Sequence, residues 1–302
     1  MGRVVAIANQ KGGVGKTTTA VNLAAALAVA EFKTLLIDID PQGNATSGCG
    51  IVDDTIADNQ TYHILLNEKK IDEVVRSTAI ERLWVLPAGG DLIGFEVEGI
   101  DLHEREYRLR NTMDAVREKF DAILIDCPPS LGLLTINALS AADGVLVPMQ
   151  CEYFALEGLG RLVQTLDLVR RGLNSRLVLD GIVLTMFDRR NNLAHQVAKE
   201  VADHFPKQIW KTRIPRNVRL SEAPSFGKPI FLYDVRSVGA QSYLSLAEEF
   251  LERNQMESKK VAETDTVISP VPEQQRSQEH ERTESIGPGN LVVDPQPPTN
   301  RN

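Results

Sequence analysis

Residues 4–18 read Val-Val-Ala-Ile-Ala-Asn-Gln-Lys-Gly-Gly-Val-Gly-Lys-Thr-Thr, a short apolar run followed by glycines, a lysine and two threonines. The β-branched run Val4–Ala8 predicts a buried strand, and the alanine-rich segment Thr17–Ala30 predicts a helix. The glycines between them have the composition of a phosphate-binding loop, which requires a strand before it and a helix after it. This stretch therefore predicts an α/β protein that binds a nucleotide.

The residue types in the loop indicate how a triphosphate and its metal would be held. Glycines let backbone N–H groups approach phosphate oxygens closely, and the next helix points its positive end at the anion. Lys16 would neutralise the β and γ phosphates, and the hydroxyl of Thr17 would ligate Mg²⁺. The predicted contacts with phosphate and metal are Gly12, Gly13, Val14, Gly15, Lys16, Thr17 and Thr18.

A second lysine, Lys11, makes this loop unusual. The ordinary pattern, G-x-x-x-x-G-K-[ST], needs a glycine five residues before Gly15, and Gln10 stands there instead. Because Lys11 leaves the opposite end of the loop from Lys16, the two side chains cannot easily approach the same phosphates together. Lys11 therefore calls for a separate explanation.

The composition fits one large α/β domain. The chain has 302 residues, of which 42% are hydrophobic, so it can bury a full core. The net charge of -8 argues against a protein that coats nucleic acid with its whole surface, although a local basic patch remains compatible. The three cysteines lack C-x-x-C spacing and no run of 18 apolar residues occurs, so we expect a cytoplasmic protein without a membrane span.

Several short runs are apolar at every position, which is typical of strands buried between two layers of helices. The predicted strands are Val4–Ala8, Thr34–Ile39, Ala122–Ile125, Val145–Val147 and Ile182–Met186. The predicted helices are Thr17–Ala30, Leu131–Ala141, Leu156–Arg170, Leu193–His204 and a closing helix over Ala240–Arg253. Their alternation predicts a doubly wound α/β domain over residues 1–254, with a mainly parallel sheet and helices on both faces.

The composition changes after this domain. Residues 255–302 contain six prolines and many Glu, Gln and Ser residues but almost no aromatic ones. Such a segment cannot bury enough apolar surface to offset the entropy of ordering. We therefore expect a disordered C-terminal tail.

Acidic residues follow two of the predicted strands, where a parallel sheet presents side chains to a nucleotide. Asp126 ends an apolar strand, the usual place of the carboxylate that holds Mg²⁺ through water. Asp38 and Asp40 alternate across Ile39, so their charges repel unless a cation or a water network lies nearby. One of the two could orient the water that attacks the γ-phosphate, and their spacing does not determine which.

Four segments together resemble the ParA/Soj family of chromosome and plasmid partition ATPases, which has the fold of P-loop NTPases. They are 11–18, 38–44, 125–132 and 214–224, and the resemblance extends over about residues 1–254. It implies a slow ATPase that forms an ATP-dependent homodimer and binds double-stranded DNA without sequence preference. It also implies a ParB-type partner that stimulates hydrolysis, and a cytoplasmic location on the nucleoid.

The resemblance also implies roles for individual residues. Lys11 resembles the signature lysine that reaches the nucleotide of the other subunit, and Asp40 resembles the residue that positions the hydrolytic water. Asp38 and Asp126 resemble the switch carboxylate and the second-shell Mg²⁺ carboxylate. The loop near the adenine is represented by Pro215 and Asn217.

A basic segment marks a candidate DNA surface. Between residues 207 and 228 the chain carries six lysines and arginines against one acid, and two arginines lie just upstream. In a chain of negative net charge, this excess is a candidate electrostatic footprint for DNA. The family resemblance favours Arg190 and Arg219 as phosphate contacts, and Arg216 lies in the same segment.

Three alternative functions remain open at this point. A MinD-like membrane ATPase would need a basic amphipathic helix near the C-terminus, and the tail offers only Lys259 and Lys260 before proline-rich sequence. An iron–sulfur reductase would need paired cysteines, and Cys127 has no partner in a recognisable pattern. A non-catalytic nucleotide-bound scaffold is disfavoured by Asp40 and Asp126. Chromosomal, plasmid and other cargo-positioning members of the family would share all of these motifs.

Overall fold

The computed structural model describes residues 2–52, 56, 58–113 and 115–256. The tail predicted over 255–302 lies outside the described residues from position 257 onward. The domain boundary at residue 254 stays a prediction.

The described residues form a single eight-stranded sheet with the order β3-β4-β2-β5-β1-β6-β7-β8. The strands are β1 (Arg3–Ile7), β2 (Thr34–Asp38), β3 (Arg76–Ser77), β4 (Leu83–Leu86), β5 (Ala122–Asp126), β6 (Gly144–Gln150), β7 (Val178–Phe187) and β8 (Ile209–Pro215). All neighbouring strands are parallel except β3 and β4, which are antiparallel. The expected mainly parallel sheet is therefore confirmed.

Helices cover both faces of this sheet. They are α1 (Lys16–Val29), α2 (Asn44–Gly48), α3 (Thr61–Leu65), α4 (Ile71–Val74), α5 (Leu92–Glu98), α6 (Arg108–Met113), α7 (Leu133–Ala141), α8 (Ala155–Gly172), α9 (Asn192–His204), α10 (Val218–Glu222), α11 (Ile230–Tyr233) and α12 (Val238–Arg253). Buried side chains of α1 and α12 form one core layer with the sheet. Those of α7, α8 and α9 form the other, as a doubly wound fold requires.

The predicted strands and helices are all present, with ends that differ by a few residues. The sequence analysis missed β3, β4 and β8. The edge strand β8 has a neighbour on one side only, and its buried Trp210 and Ile214 alternate with the exposed Lys211 and Arg213. A strand of this kind lacks the continuous apolar run that reveals a central parallel strand. Its basic residues were instead interpreted as part of a candidate DNA surface.

The topology determines where a ligand can bind. The chain runs from β1 through α1 to β2 on one side of β1, and from β5 through α7 to β6 on the other. Strand β1 thus lies between β5 and β6, where the direction of winding changes. In doubly wound sheets this switch point opens a crevice at the carboxyl ends of the strands. The glycine loop, Asp38 and Asp126 all lie at those ends.

Close packing at Gly181 provides a test of the fold. The indole of Trp210 lies directly against this glycine, and a Cβ built there would be 1.7 Å from Nε1 of Trp210. Trp210 is buried and donates a hydrogen bond of 3.2 Å to the carbonyl of Asp180. Any side chain at position 181 would therefore push the indole of Trp210 out of its present position.

We expect Gly181→Ala to lower the free energy of unfolding by about 1–3 kcal/mol, the usual cost of overpacking a core. Gly160→Ala is the matched control, because nothing lies within 4 Å of its Cβ position and the residue sits inside α8. Alanine is the better helix former there, so the control should be stabilised by up to about 1 kcal/mol. Urea unfolding measures both, and equal stability of the two variants would contradict this account of Trp210.

Candidate phosphate and metal site

The glycine loop joins β1 to α1 through two residues in the left-handed region of backbone space. Gly13 has a φ of 74° and Gly15, the last residue before α1, has a φ of 84°. Side chains rarely tolerate this conformation, so both positions favour glycine. The loop is tied to β7 by the hydroxyl of Thr185, which donates to the carbonyl of Val14 at 2.7 Å. The first turn of α1 therefore follows directly from the loop, and its N-cap residue Gly15 provides no side-chain cap.

Lys16 lies over this loop and is nearly buried, with only 7% of its surface exposed. Its Nζ donates to the carbonyl of Lys11 at 3.1 Å, which folds the side chain back across the glycines. Burial lowers the pKa of Lys16, and the negative charges of Asp126 and Asp40 partly restore it. An ammonium desolvated in this way gains from an anion placed beside it.

Lys11 contacts Asn9 through its backbone and Glu152 through its side chain. Its backbone N–H donates to Oδ1 of Asn9 at 3.0 Å, and the amide of Asn9 donates to the carbonyl of Pro148 at 2.8 Å. Its side chain forms an ion pair with Glu152, and the two side chains are 42% and 46% exposed. Ion pairs this exposed contribute about 0–1 kcal/mol, so Lys11 can leave Glu152 at little cost.

Asp38 and Asp126 occupy paired register positions at the ends of β2 and β5, and both are fully buried. The carboxylate of Asp38 accepts three hydrogen bonds from its own loop. Oδ2 accepts from the N–H and the hydroxyl of Thr46 at 2.8 and 2.7 Å, and Oδ1 accepts from the N–H of Asp40 at 3.1 Å. Burial still raises the pKa of Asp38 to about 6, with these hydrogen bonds opposing the shift. Asp38 thus organises the loop that carries Asp40.

Asp126 is in the opposite situation. Neither of its carboxylate oxygens has a hydrogen-bond partner of normal geometry within the described ranges. Burial raises the pKa of Asp126 well above its ordinary value, and Asp38 raises it further, while the nearby Thr17 hydroxyl and Lys16 lower it. A buried carboxylate left in this state needs a proton, a cation or ordered water. The pair of Asp126 and Thr17 therefore fits a magnesium ion, whose remaining ligands would be phosphate oxygens and water.

Asp40 lies on the rim of the crevice, 7% exposed. Its Oδ1 accepts from the N–H of Gln42 at 3.0 Å, which fixes the turn after β2. The left-handed Gly43 follows, and a Cβ there would lie 2.9 Å from the carbonyl of Ala88. Asp40 is thus held from both sides, through its N–H by Asp38 and through its side chain by the turn.

The predicted adenine and DNA residues lie at the far edge of the sheet. Pro215 ends β8 opposite Phe187 of β7, and the side chain of Asn217 caps α10 by accepting from the N–H of Leu220 at 3.3 Å. Arg216 follows Pro215 on the surface. These residues are fixed by the end of β8 and the start of the next helix.

The two other arginines are both paired with acids. The side chain of Arg190 is 92% exposed and contacts Asp188 at 3.3 Å, and Arg216 also acts on Asp188. Arg219 is 54% exposed and contacts Glu222 at 2.9 Å and Asp234 at 3.4 Å. Asp188 and Asp234 lie outside the segment 207–228. They partly neutralise the arginines, so the local excess of positive charge on the folded protein is smaller than the count along the sequence. Arg190 is therefore more exposed than Arg219.

Sequence reasoning missed Thr46, Thr185 and Glu152. Thr46 follows Asp38 by eight residues and gave no signal of its own, because a threonine is common in any short helix. Thr185 and Glu152 meet the loop only through the parallel pairing of β6 and β7 with the centre of the sheet. Their roles depend on contacts between segments more than 100 residues apart.

Two further observations concern the alternatives left open above. In the described part of the chain, no group of three or more His, Cys, Asp or Glu side chains is placed to hold a metal ion. A magnesium site built from one hydroxyl, one carboxylate, phosphates and water does not need such a group. No helix within the described ranges has both the length and the apolar character required to cross a bilayer.

Comparison with known proteins identifies close relatives over most of the chain. The profile of a family described as "AAA domain" matches residues 2–179. The chromosome partitioning protein ParA of Myxococcus xanthus is 57% identical over 254 residues, covering 84% of this chain and 89% of that protein. The sporulation initiation inhibitor protein Soj of Bacillus subtilis is 54% identical over 249 residues, covering 82% of this chain and 98% of that protein.

Solved structures with the same architecture include enzymes of other kinds. The cobyrinic acid a,c-diamide synthase of Mycobacterium smegmatis, with bound ADP and magnesium, superposes with a TM-score of 0.74 at 35% identity and covers 84% of this chain and 96% of its own. The cell division ATPase MinD of Pyrococcus furiosus has a TM-score of 0.69 at 27% identity, covering 83% of this chain and 99% of its own. The partitioning proteins are thus considerably more similar in sequence than MinD.

The buried pair of Asp38 and Asp126 should lower the stability of the protein when no ligand is bound. We expect Asp126→Asn to raise the free energy of unfolding at pH 8 by about 1–3 kcal/mol, because it removes an unpartnered buried charge beside Asp38. The folded state raises the pKa of both acids, so it binds protons more tightly than the unfolded state. The wild type therefore loses stability as the pH rises toward and beyond about 6, the pKa of Asp38.

The advantage of Asp126→Asn should accordingly shrink as the pH falls from 8 to 5. Urea unfolding in the presence of EDTA measures it, and Asp203→Asn on the exposed side of α9 is the control, expected to change stability by less than about 0.5 kcal/mol. A loss of stability in Asp126→Asn across the whole pH range would contradict the account of an unpartnered carboxylate.

Proposed function

The chain belongs to the ParA/Soj family of chromosome-partitioning ATPases, and from this we propose that it hydrolyses MgATP as a switch that joins two subunits on DNA. The observation that carries the nucleotide part of the proposal is Asp126, whose buried oxygens have no partner of normal geometry and lie beside Thr17. The sequence similarity to partitioning proteins supports the biological role. We assign the activity to residues 1–254.

Binding of MgATP follows from the loop. The N–H groups of the loop residues from Gly12 to Thr18 would surround the phosphates at the positive end of α1, and Lys16 would neutralise their charge. The hydroxyl of Thr17 would hold Mg²⁺ directly and Asp126 would hold it through water. The bound metal would supply charge neutralisation to the β and γ phosphates. Pro215 and Asn217 would border the adenine.

Hydrolysis needs a water molecule in line with the γ-phosphate, and we assign its orientation to Asp40. Asp40 is fixed at the rim of the crevice by hydrogen bonds on its N–H and on its carboxylate. Asp38, which accepts the N–H of Asp40, would act as a positioning residue and sense the metal through Asp126 at its side. Lys16 would stabilise the charge that develops on the equatorial oxygens.

Dimerisation gives Lys11 its role. Two triphosphates enclosed between facing subunits would carry a large negative charge, and neutralising it from both sides would stabilise the dimer. In the part of the chain that the structure describes, the side chain of Lys11 forms an ion pair with the half-exposed Glu152. We propose that Lys11 exchanges this weak ion pair for a phosphate of the partner's nucleotide.

DNA binding would use the arginines at the ends of β7 and β8. Arg190 and Arg216 both act on Asp188, and Arg219 lies two residues after Asn217, in the first turn of α10. In a dimer these groups would be duplicated, which doubles the number of phosphate contacts without any reading of base sequence. A ParB-type partner would then accelerate hydrolysis and release the subunits from the nucleoid.

The first test concerns Lys11. We expect Lys11→Ala to abolish the doubling of mass that ATP causes, because the charge enclosed between the subunits is no longer neutralised. Light scattering after gel filtration measures the mass, and Lys199→Ala on the exposed face of α9 is the control that should dimerise normally. A Lys11→Ala protein that still doubles its mass with ATP would refute the role assigned to this lysine.

The second test concerns DNA. Asp40→Ala should arrest the ATP state, so this variant is expected to sediment with random-sequence duplex DNA in ATP but not in ADP. Adding Arg190→Ala should weaken binding to all sequences alike and reduce the slope of log affinity against log salt by about 0.9 for each DNA phosphate that the protein no longer neutralises. Binding that depends on one DNA sequence, or that occurs equally in ADP, would rule out the proposed switch.

A further inference from the structure

The hydroxyl of Thr46, a residue of α2, is held in one orientation by its two neighbours. Thr46 is buried, with 2% of its surface exposed. Its Oγ1 lies 2.7 Å from Oδ2 of Asp38 and 2.9 Å from the backbone nitrogen of Ala88. The N–H of Ala88 can only donate, so it occupies an acceptor site of the hydroxyl and leaves the hydroxyl proton for Asp38. Ala88 therefore makes Thr46 a donor to the carboxylate.

Ala88 belongs to a short segment that is attached both to the sheet and to α3. It follows β4, which pairs in parallel with β2. The carbonyl of the preceding residue, Pro87, accepts the N–H of Thr61 at 2.7 Å. The hydroxyl of Thr61 lies 2.8 Å from the carbonyl of Asp38 and 3.0 Å from that of Pro87. The N–H that orients Thr46 is therefore held in place by contacts with β2 and α3.

The carboxylate of Asp38 transmits this orientation to Asp40. Its Oδ2 accepts the hydroxyl of Thr46 and, at 2.8 Å, the N–H of Thr46, while its Oδ1 accepts the N–H of Asp40 at 3.1 Å. The two oxygens belong to one planar group, so a donor that fixes the first also fixes the second. The torsion of an aspartate about its Cβ–Cγ bond has only broad preferences. Without the hydroxyl, the carboxylate could therefore turn, and the N–H of Asp40 would lose its fixed acceptor.

We propose that Thr46 is a positioning residue for ATP hydrolysis. Its hydroxyl sets the plane of the Asp38 carboxylate and, through it, the place of Asp40 at the rim of the crevice. This assignment rests on the proposed role of Asp40 in orienting the hydrolytic water. Because Thr46 acts through Asp38 on Asp40 and not on the phosphate-binding loop, its hydroxyl should matter for the chemical step and little for nucleotide binding.

Three variants separate the hydroxyl from the rest of the side chain. Thr46→Val keeps the shape of the residue but has no donor for Asp38 and no acceptor for Ala88. Thr46→Ser keeps the hydroxyl and loses only a methyl group. Thr34→Val is the matched control, because Thr34 is also a fully buried threonine of this region. It begins β2, and its hydroxyl donates to the carbonyl of Phe32 at 3.0 Å.

The first measurement is phosphate release by the full-length protein at saturating MgATP, with random-sequence duplex DNA present. We expect kcat of Thr46→Val to fall by about tenfold or more, since misplacing a group by about 1 Å can slow a reaction about a hundredfold. Thr46→Ser and Thr34→Val should stay within about threefold of the wild type. The affinity for MgADP that carries a fluorescent methylanthraniloyl group should change by less than about twofold in all three variants.

The second measurement needs neither nucleotide nor metal. Hydrogen–deuterium exchange of the protein in EDTA, followed by mass spectrometry of peptides that cover residues 38–46, reports how firmly the amides of this loop are held. We expect exchange in Thr46→Val to be about tenfold faster or more than in Thr46→Ser and the wild type. Peptides from α9 should exchange alike in all variants. Urea unfolding establishes that each variant is folded.

Several results would overturn the proposal. They are an unchanged kcat in Thr46→Val, a serine variant as slow as the valine variant, a loss of MgADP affinity that parallels the loss of kcat, and a Thr34→Val variant that is equally impaired. Unchanged exchange of the loop in Thr46→Val would contradict the link to Asp40. A wild type that releases no phosphate would instead refute the proposed function, and faster exchange in Thr46→Val would still establish that Thr46 holds the loop.

Discussion

Two carboxylates buried side by side impose the main constraint on this molecule. Asp38 and Asp126 end neighbouring parallel strands in the same register, at the edge of the sheet where the glycine loop begins. Like charges placed this way raise each other's pKa and oppose folding when both are ionised. The arrangement has a purpose only when a cation approaches, because a magnesium ion converts the repulsion into a binding site.

The two acids divide the work of that site. Asp38 uses its hydrogen-bonding capacity on Thr46 and Asp40, which gives the loop after β2 a defined shape. Among the described residues, the carboxylate oxygens of Asp126 have no hydrogen-bond partner of normal geometry. This buried group is therefore stabilised when a cation or a water molecule binds to it. Lys16 is also desolvated, so its ammonium group is stabilised when an anion binds beside it. A metal bound to a polyphosphate supplies a cation to Asp126 and an anion to Lys16 at once, which neither a free metal nor a free phosphate could do.

The outer parts of the molecule are attached to this centre by weak or few contacts. In the described part of the chain the side chain of Lys11 forms an exposed ion pair with Glu152, and Ala88, which precedes α5, donates a hydrogen bond to the hydroxyl of Thr46. An ion pair as exposed as that of Lys11 is worth about 1 kcal/mol or less, so it can be exchanged when a ligand arrives.

The sequence alone determined the fold class, the loop with both lysines and the positions of Asp38, Asp40 and Asp126. These features are encoded in short segments, as continuous apolar runs, glycine spacing and acids that follow strands, so local physics reveals them. Only the tertiary structure decided that Asp38 accepts three hydrogen bonds while Asp126 has no partner of normal geometry among the described residues, that Lys11 meets Glu152 and that Thr46 meets Ala88. Each of these depends on which side chains meet across segments distant in the chain, and periodicity within one segment carries no information about that meeting.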